Sequence, residues 1–163
     1  MQGDDDQALE RQLGRVPRAL AGVVVRCPYG LPAVIAQHAY EGSGRPFPTT
    51  YYLTCPAAVA AVGALEDAGG VARYEGLVSA DRGLRESYEW GARRQRELRR
   101  PAPVMADGGA SLGLGIAGTA RTGAVKCLHA HVAFGLAEPG YALGLRAASE
   151  AGPLFPTGGC CSA

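Results

Sequence analysis

The sequence predicts an α+β fold in which a small β-sheet near the N-terminal half is covered by helices. The clearest β-branched and aromatic runs come before residue 55 and the longest helix-forming segments follow it. A regular alternation of strand and helix, which would indicate a doubly wound sheet, is absent. The length of 163 residues suits one domain, 1–163, with a core that needs no disulfides. Residues 1–6 and the Gly/Pro-rich tail 152–163 are candidates for flexible ends.

Three strands are predicted, at about 20–26, 32–37 and 49–54. The first contains three consecutive valines before Cys27-Pro28, a pattern typical of a buried strand. The third is rich in threonine and tyrosine and has a proline on each side, which makes it the clearest of the three.

Helices are predicted at about 56–68, 82–99 and 122–137, with shorter ones at 5–14 and 71–78. Pro56 suits the first position of a helix, and Asp81 is a suitable cap for the long polar helix that follows it. Pro101 ends that helix, and Pro139-Gly140 ends the one at 122–137.

Charge and hydropathy exclude several classes of protein. The chain has 16 basic and 15 acidic residues, so no global charge favours nucleic acid or an anionic membrane. The acidic N-terminus lacks the pattern of a signal peptide, and the longest apolar run, 57–65, is too short to span a bilayer. We therefore expect a soluble, cytoplasmic protein with no membrane partner. Five cysteines in a reducing compartment are not expected to form disulfides.

Cys27 and Cys55 occupy similar positions, because each follows a strand-like run and precedes a proline. A residue before proline is held in extended geometry, so both thiols are predicted at strand ends. Cys55 would also lie at a helix N-terminus, where the helix dipole and amides lower a thiol pKa. A small buried cap residue is the alternative for Cys55.

The predicted helix 122–137 carries Cys127, His129 and His131. At about 100° per residue, Cys127 and His131 share a face, and His129 joins them only if the first turn is distorted. A histidine that is simply hydrogen-bonded in the core or at the surface is the alternative for either position.

Four runs of the sequence, 26–32, 46–56, 115–118 and 125–131, resemble the bacterial family known as domain of unknown function 501. The resemblance covers roughly residues 20–145. It implies that Cys27, Cys55, Cys127 and His129 belong to the family's motifs, and it implies no activity. Where the family usually carries an Asn-Pro pair, this chain reads Pro-Gly at 139–140.

Three scattered cysteines and a histidine indicate a metal or an iron–sulfur cluster. Structural zinc sites usually take ligands from close Cys-x-x-Cys pairs, which are absent here. Dispersed cysteines followed by proline suit an iron–sulfur cluster somewhat better. Cys160 or Cys161 would supply a further ligand, and the choice between cluster and zinc stays open.

The Gly-rich stretch 108–118 precedes the histidine helix and is a candidate for binding a small anion. Backbone amides at a helix N-terminus suit phosphate, and we name Gly118, Arg121, Thr122 and Lys126 as candidates. The stretch is not a Walker motif, because the Gly-Lys-Ser/Thr ending is missing. A flexible loop without a ligand is the alternative. The basic run 93–100 lacks interleaved aromatics, so we interpret it as a solvated helix end and do not expect nucleic acid to bind there.

The leading functional hypothesis is therefore a protein that binds a metal ion or cluster through dispersed cysteines and a histidine. One alternative is a cysteine-dependent enzyme that acts on a small anionic substrate, with Cys55 or Cys127 as nucleophile. The other is a non-catalytic interaction module that uses helix 82–99. The identity of any protein partner stays open.

Overall fold

The computed structural model describes residues 2–161 and has the predicted α+β architecture. Within this span the helices are α1 (Gln2–Leu13), α2 (Pro56–Asp67), α3 (Gly70–Ala80), α4 (Arg82–Arg99), α5 (Leu128–Ala137) and α6 (Ala142–Ala151). The strands β1 (Leu20–Arg26), β2 (Pro32–Gln37) and β3 (Tyr51–Leu53) form an antiparallel sheet in the order β1-β2-β3. None of the described helices has the length and apolar content needed to cross a bilayer.

The central strand β2 is the most buried part of the sheet. Val34 pairs with Leu53 of β3, and Ile35 pairs with Val23 of β1. A strand covered on both faces reads as a continuous apolar run, which explains the sequence Ala-Val-Ile-Ala at 33–36. Pro32 is tolerated because it is the first residue of the strand.

Helix α5 lies in the core, between the sheet and α6. Nearly all of its sides are apolar and buried, as expected for a helix surrounded by protein. Gly135 of α5 meets Gly144 of α6 so closely that a Cβ on Gly135 would lie 2.7 Å from the carbonyl carbon of Gly144. Glycine at this crossing lets the two backbones touch, which fixes the position of α5. Helix α6 corresponds to none of the predicted elements.

The predicted helix 122–137 is wrong in its first part, because α5 begins only at Leu128. Cys127 has extended backbone angles of φ −153° and ψ 116°, and Lys126 lies in the left-handed region with φ 58°. A turn through Gly123, with φ 80°, precedes them. The residues before Leu128 therefore approach α5 as an irregular segment, and this changes which side chains share a face.

Smaller differences concern the ends of other elements. The predicted strand 49–54 is reduced to Tyr51–Leu53, and α1 begins at Gln2 instead of residue 5. Arg26 at the end of β1 binds both carboxylate oxygens of Asp5 at 2.8 Å, which ties α1 to the sheet.

The C-terminal tail packs back on the turn after β1. The Tyr29 hydroxyl donates a hydrogen bond to the Pro156 carbonyl at 2.8 Å and accepts one from the Gly159 amide at 3.0 Å. Leu154 is buried in the core. These contacts fix the path of the tail toward Cys160 and Cys161.

Candidate functional site

Glu66, Cys127 and His129 form a cluster of ligand-type side chains where α5 begins. One ligand atom from each lies within 4.8 Å of the other two, and within residues 2–161 no other group of three His, Cys, Asp or Glu meets this distance. Glu66 lies in the last turn of α2, Cys127 directly precedes α5, and His129 is in its first turn. We call these three residues the α5 triad.

The carboxylate of Glu66 connects the triad to the start of α5. Its Oε1 accepts a hydrogen bond from the backbone N–H of Leu128, one of the amides that a helix N-terminus leaves without a partner. Its Oε2 lies 3.2 Å from His129 Nδ1. One side chain therefore sets where the helix begins and also faces the histidine.

The ring of His129 is oriented from its other nitrogen. Its Nε2–H donates to the Val59 carbonyl at 3.0 Å, so Nδ1 faces Cys127 Sγ at 4.0 Å. The hydrogen bond with Cys127 raises the pKa of His129 to about 9, against the opposing effect of burial and with help from Val59 and the Glu66 charge. A backbone carbonyl that orients the distal nitrogen is the usual arrangement behind a metal-binding histidine.

Cys127 and His129 open onto a cavity of about 360 Å³. This volume lies within the range of small-molecule sites. The remaining lining residues are Thr49, Tyr51, Tyr52, Leu53, Val59, Ala117, Lys126 and Ala130. We call this space the triad cavity. His129 and Glu66 expose 26% and 24% of their side chains, so the triad is partly shielded but reachable from solvent.

Backbone strain is concentrated beside the triad cavity. Ala117 and Lys126 are the non-glycine residues with positive φ in the described chain, at 60° and 58°, and both line this cavity. The left-handed conformation costs a non-glycine residue about 1–2 kcal/mol. Such strain often occurs at functional sites, where surrounding contacts hold it in place.

His131 is not part of the triad, and the predicted shared face of Cys127 and His131 is wrong because Cys127 lies outside the helix. His131 is fully buried, and its Nδ1 accepts a hydrogen bond from the Tyr141 hydroxyl at 2.6 Å. Its Nε2–H donates to the Val125 carbonyl at 3.0 Å. Burial lowers the pKa of His131 to about 4, so the ring is neutral at physiological pH.

Cys55 lies in a second thiol environment, 3.5 Å from Cys161 (Sγ to Sγ). The prediction of a lowered pKa is wrong, because burial raises the pKa of the Cys55 thiol. The amides of Ala58 and Ala57 at the helix N-terminus lower the pKa of Cys55, as expected, but Cys161 raises it further. The cost of burying a thiolate exceeds the stabilisation by the helix end.

The other two cysteines, Cys27 and Cys160, pack in or against the apolar core. All five cysteines lie within the described residues and remain thiols instead of disulfides. The predicted ligand set is therefore divided into Cys127 with His129, Cys55 with Cys161, and three residues in or against the core, Cys27, His131 and Cys160.

The four residues named for anion binding lie in shallow clefts along the segment before α5. Gly118, Arg121 and Lys126 line one cleft, and Thr122 lines a neighbouring one with Arg121. Arg121 is already paired with Glu75 at 3.1 Å, and Glu75 also accepts from the Val125 amide. Anion binding here stays a prediction, and the Gly-rich stretch does not lead directly into a helix N-terminus.

Sequence reasoning missed Glu66, which lies far from Cys127 in the chain and belongs to no motif. A signal was nevertheless present. Glu66 and Asp67 end an apolar helix with two negative charges at its C-terminus, where the helix dipole disfavours them. For Glu66, the contacts with Leu128 and His129 account for the acidic residue at this position.

No curated protein and no solved structure matches the chain. A family model described as "Protein of unknown function (DUF501)" matches residues 23–144, a segment that contains Glu66, Cys127 and His129. The match confirms the resemblance noted in the sequence, and the chain belongs to the DUF501 family.

Proposed function

We propose that the α5 triad binds one divalent transition-metal ion, with zinc as the best match, and presents it to a small molecule in the triad cavity. The observation that carries the proposal is the convergence of a carboxylate, a thiol and an imidazole, of which the thiol and the imidazole line a cavity. Three protein ligands with one open position are typical of catalytic zinc sites, where the ion acts as a Lewis acid or activates water.

The spacing of the donor atoms suits a single ion. Two atoms bound to one tetrahedral zinc at 2.0–2.3 Å lie roughly 3.5 Å apart. The metal-free separations are 3.2 Å from Glu66 Oε2 to His129 Nδ1 and 4.0 Å from His129 Nδ1 to Cys127 Sγ. Changes of a few tenths of an ångström would bring these two pairs to that spacing.

The chemistry of the donors favours zinc over the other ions considered. An iron–sulfur cluster is held by several thiolates, and the triad supplies one. Calcium and magnesium prefer oxygen ligands alone. A carboxylate and a thiolate balance the charge of Zn²⁺, and all three donor types are common zinc ligands.

The test is metal analysis of the full chain, combined with cobalt substitution. We expect one equivalent of zinc after equilibration and dialysis. With Co²⁺ we expect an absorption band in the near ultraviolet from a single thiolate ligand. The variants Glu66→Gln, Cys127→Ser and His129→Gln should each weaken binding roughly 10-fold or more, and Cys127→Ser should abolish the thiolate band.

Cys55→Ser and Cys27→Ser are matched controls, because they remove a thiol outside the triad. Both should retain the metal and the cobalt band. A wild-type chain that binds neither zinc nor cobalt would overturn the proposal. So would equal loss of metal in the triad variants and in the two controls.

The second candidate function is a cysteine-dependent enzyme with Cys127 as nucleophile. The observation that favours it is the contact of Cys127 with His129 Nδ1, while the Val59 carbonyl orients the other nitrogen. Lys126 at the cavity would attract an anionic substrate. Zinc separates the two functions, because a bound ion should protect Cys127 from iodoacetamide. If Cys127 is a nucleophile that works without metal, its rate of alkylation with zinc should equal its rate with EDTA.

A further inference from the structure

A second cavity, of about 590 Å³, is lined by residues at the end of β2 and at the end of α4. Most of its wall is apolar, from alanines, prolines, Leu98 and Met105. Its polar lining includes Gln37, Thr50 and Arg99, each more than nine-tenths buried. We call it the Arg99 cavity.

Arg99 is a buried cation with two donors that have no partner. Its side chain is only 3% exposed, and its Nη1 donates to the Phe47 carbonyl at 2.9 Å. Within residues 2–161, the buried Nε and Nη2 have no hydrogen-bond acceptor. These two nitrogens form one edge of the planar guanidinium, and the bond at Nη1 fixes how that edge is turned.

No carboxylate of the described chain forms an ion pair with Arg99. Asp107, whose charge favours the Arg99 cation, has its oxygens engaged by the Tyr40 hydroxyl and by the amides of Gly109 and Ser111. Burial lowers the pKa of Arg99, which reflects the cost of a charge removed from water. A buried charge without a partner is strongly unfavourable, so such a position is normally completed by a counter-ion.

Thr50 supplies a second unpartnered group at the same cavity. It is 7% exposed, and its Oγ1 is buried without a hydrogen-bond partner in the described residues. A hydroxyl can donate to an oxyanion beside the guanidinium. Thr50, which directly precedes β3, and Arg99, at the end of α4, therefore both line this cavity and both have polar atoms without a hydrogen-bond partner in the described residues.

We propose that the Arg99 cavity binds a small organic anion whose carboxylate or phosphate docks on the Nε–Nη2 edge of Arg99. Two parallel N–H donors match two oxygens of such a group and form a bidentate, charge-assisted pair. The volume of the cavity exceeds that of an inorganic anion and lies in the range of small-molecule sites. The apolar wall indicates that the rest of the ligand is largely uncharged and apolar.

The experiment uses three probes with the same aromatic body: phenylacetate, phenyl phosphate and the neutral phenethyl alcohol. Binding is followed on the full chain by the thermal midpoint and by the ¹⁵N–¹H signal of Arg99 Nε. We expect at least one of the two anions to raise Tm by several degrees at about 100 times its Kd and to move the Nε–H signal downfield. Comparing the two anions distinguishes a carboxylate ligand from a phosphate ligand. The neutral alcohol should neither raise Tm nor move the Nε–H signal.

Variants test whether Arg99 is the anion receptor. Arg99→Met should abolish the rise in Tm that the anions cause. Arg99→Lys keeps the charge without the two-donor edge and should weaken binding roughly 10-fold or more. Thr50→Val should weaken it less. Arg96→Gln is the matched control, because it removes an exposed arginine of the same helix and should leave binding unchanged. If Arg99→Met does not fold, the wild-type titration decides.

Two outcomes would overturn the proposal. One is a wild-type Nε–H signal and Tm that respond to neither anion, or equally to the neutral alcohol. The other concerns Glu41, the acidic residue that also lines the cavity. If Glu41→Gln shifts the Nε–H signal in the absence of added anions, and neither anion binds to the wild type or to that variant, Glu41 is the counter-ion of Arg99.

Discussion

The two faces of α5 carry one histidine each, and their surroundings differ in almost every respect. His131 faces the core, is fully buried, and exchanges hydrogen bonds with the Tyr141 hydroxyl and the Val125 carbonyl. His129 faces the triad cavity, is partly exposed, and lies against Cys127 and Glu66. The pKa of His131 is lowered to about 4 and that of His129 is raised to about 9.

The comparison shows that residue type and proximity in the chain do not assign a role. Residues two apart on a helix point to nearly opposite sides, so one enters the core and the other a cavity. The core position satisfies both ring nitrogens within the protein. The cavity position leaves one nitrogen directed at other ligand-type atoms, where chemistry can take place.

The largest expected difference between the two faces is in stability. In metal-free protein, His131→Ala should lower the free energy of unfolding by about 3–4 kcal/mol, because it leaves a cavity and deprives the Tyr141 hydroxyl and the Val125 carbonyl of their hydrogen-bond partner. At pH 10, where the His129 ring is neutral and its raised pKa no longer contributes, His129→Ala should cost less than about 1 kcal/mol, since its site is partly exposed. Urea denaturation in EDTA measures both values. Equal losses would contradict the assignment of His131 to the core.

The two histidines should also give opposite pH dependence in metal-free protein. The folded pKa of His131, about 4, lies below its unfolded value, so stability is fully present above pH 6.5 and falls by roughly 3 kcal/mol toward pH 4. The folded pKa of His129, about 9, lies above its unfolded value, so its contribution is present below pH 6.5 and is lost as pH rises through 9.

Unfolding free energies measured from pH 4 to 10 test this contrast. In a plot of unfolding free energy against pH, His131→Phe should reduce only the fall toward acid pH. His129→Gln should reduce only the fall toward alkaline pH. If both variants change stability in the same pH range, the difference in environment between the two histidines does not explain the pH dependence of stability.

Thiol reactivity should separate the cavity face from the buried cysteines. Cys127 lines the triad cavity, whereas Cys55 is 2% exposed and its pKa is raised by burial. In metal-free protein, iodoacetamide should modify Cys127 on the order of tenfold faster than Cys55. Peptide mass spectrometry after timed quenching measures the two rates, and comparable rates would show that the triad cavity is closed to solutes.

The smallest expected effect concerns the strained backbone beside the triad. Lys126→Gly should raise the free energy of unfolding by about 1 kcal/mol relative to Lys126→Ala, because glycine adopts the φ of 58° without strain. Both variants remove the same charge, so their difference isolates the backbone. No difference in urea denaturation would mean that the left-handed turn relaxes once the lysine is removed.

Much of the fold follows from local patterns in the sequence. The boundaries of β1, β2 and α4 coincide with the predicted ones, because valine runs, prolines and the Asp81 cap act on neighbouring residues. The start of α5 does not follow from them. Leu128 begins that helix where Glu66, from another helix, accepts its amide hydrogen, and no local pattern contains that contact.

The sequence by itself determined the fold class, the family and the presence of Cys127 and His129 among the candidate ligands. Only the tertiary structure decided which residues meet. It added Glu66, moved His131 into the core, separated Cys27 and Cys55 from the triad and left Nε and Nη2 of Arg99, a residue that lines a cavity, without a hydrogen-bond acceptor in the described residues. The physical reason is that secondary structure depends on residues close in the chain, whereas ligand geometry and burial depend on side chains that packing brings together from distant segments.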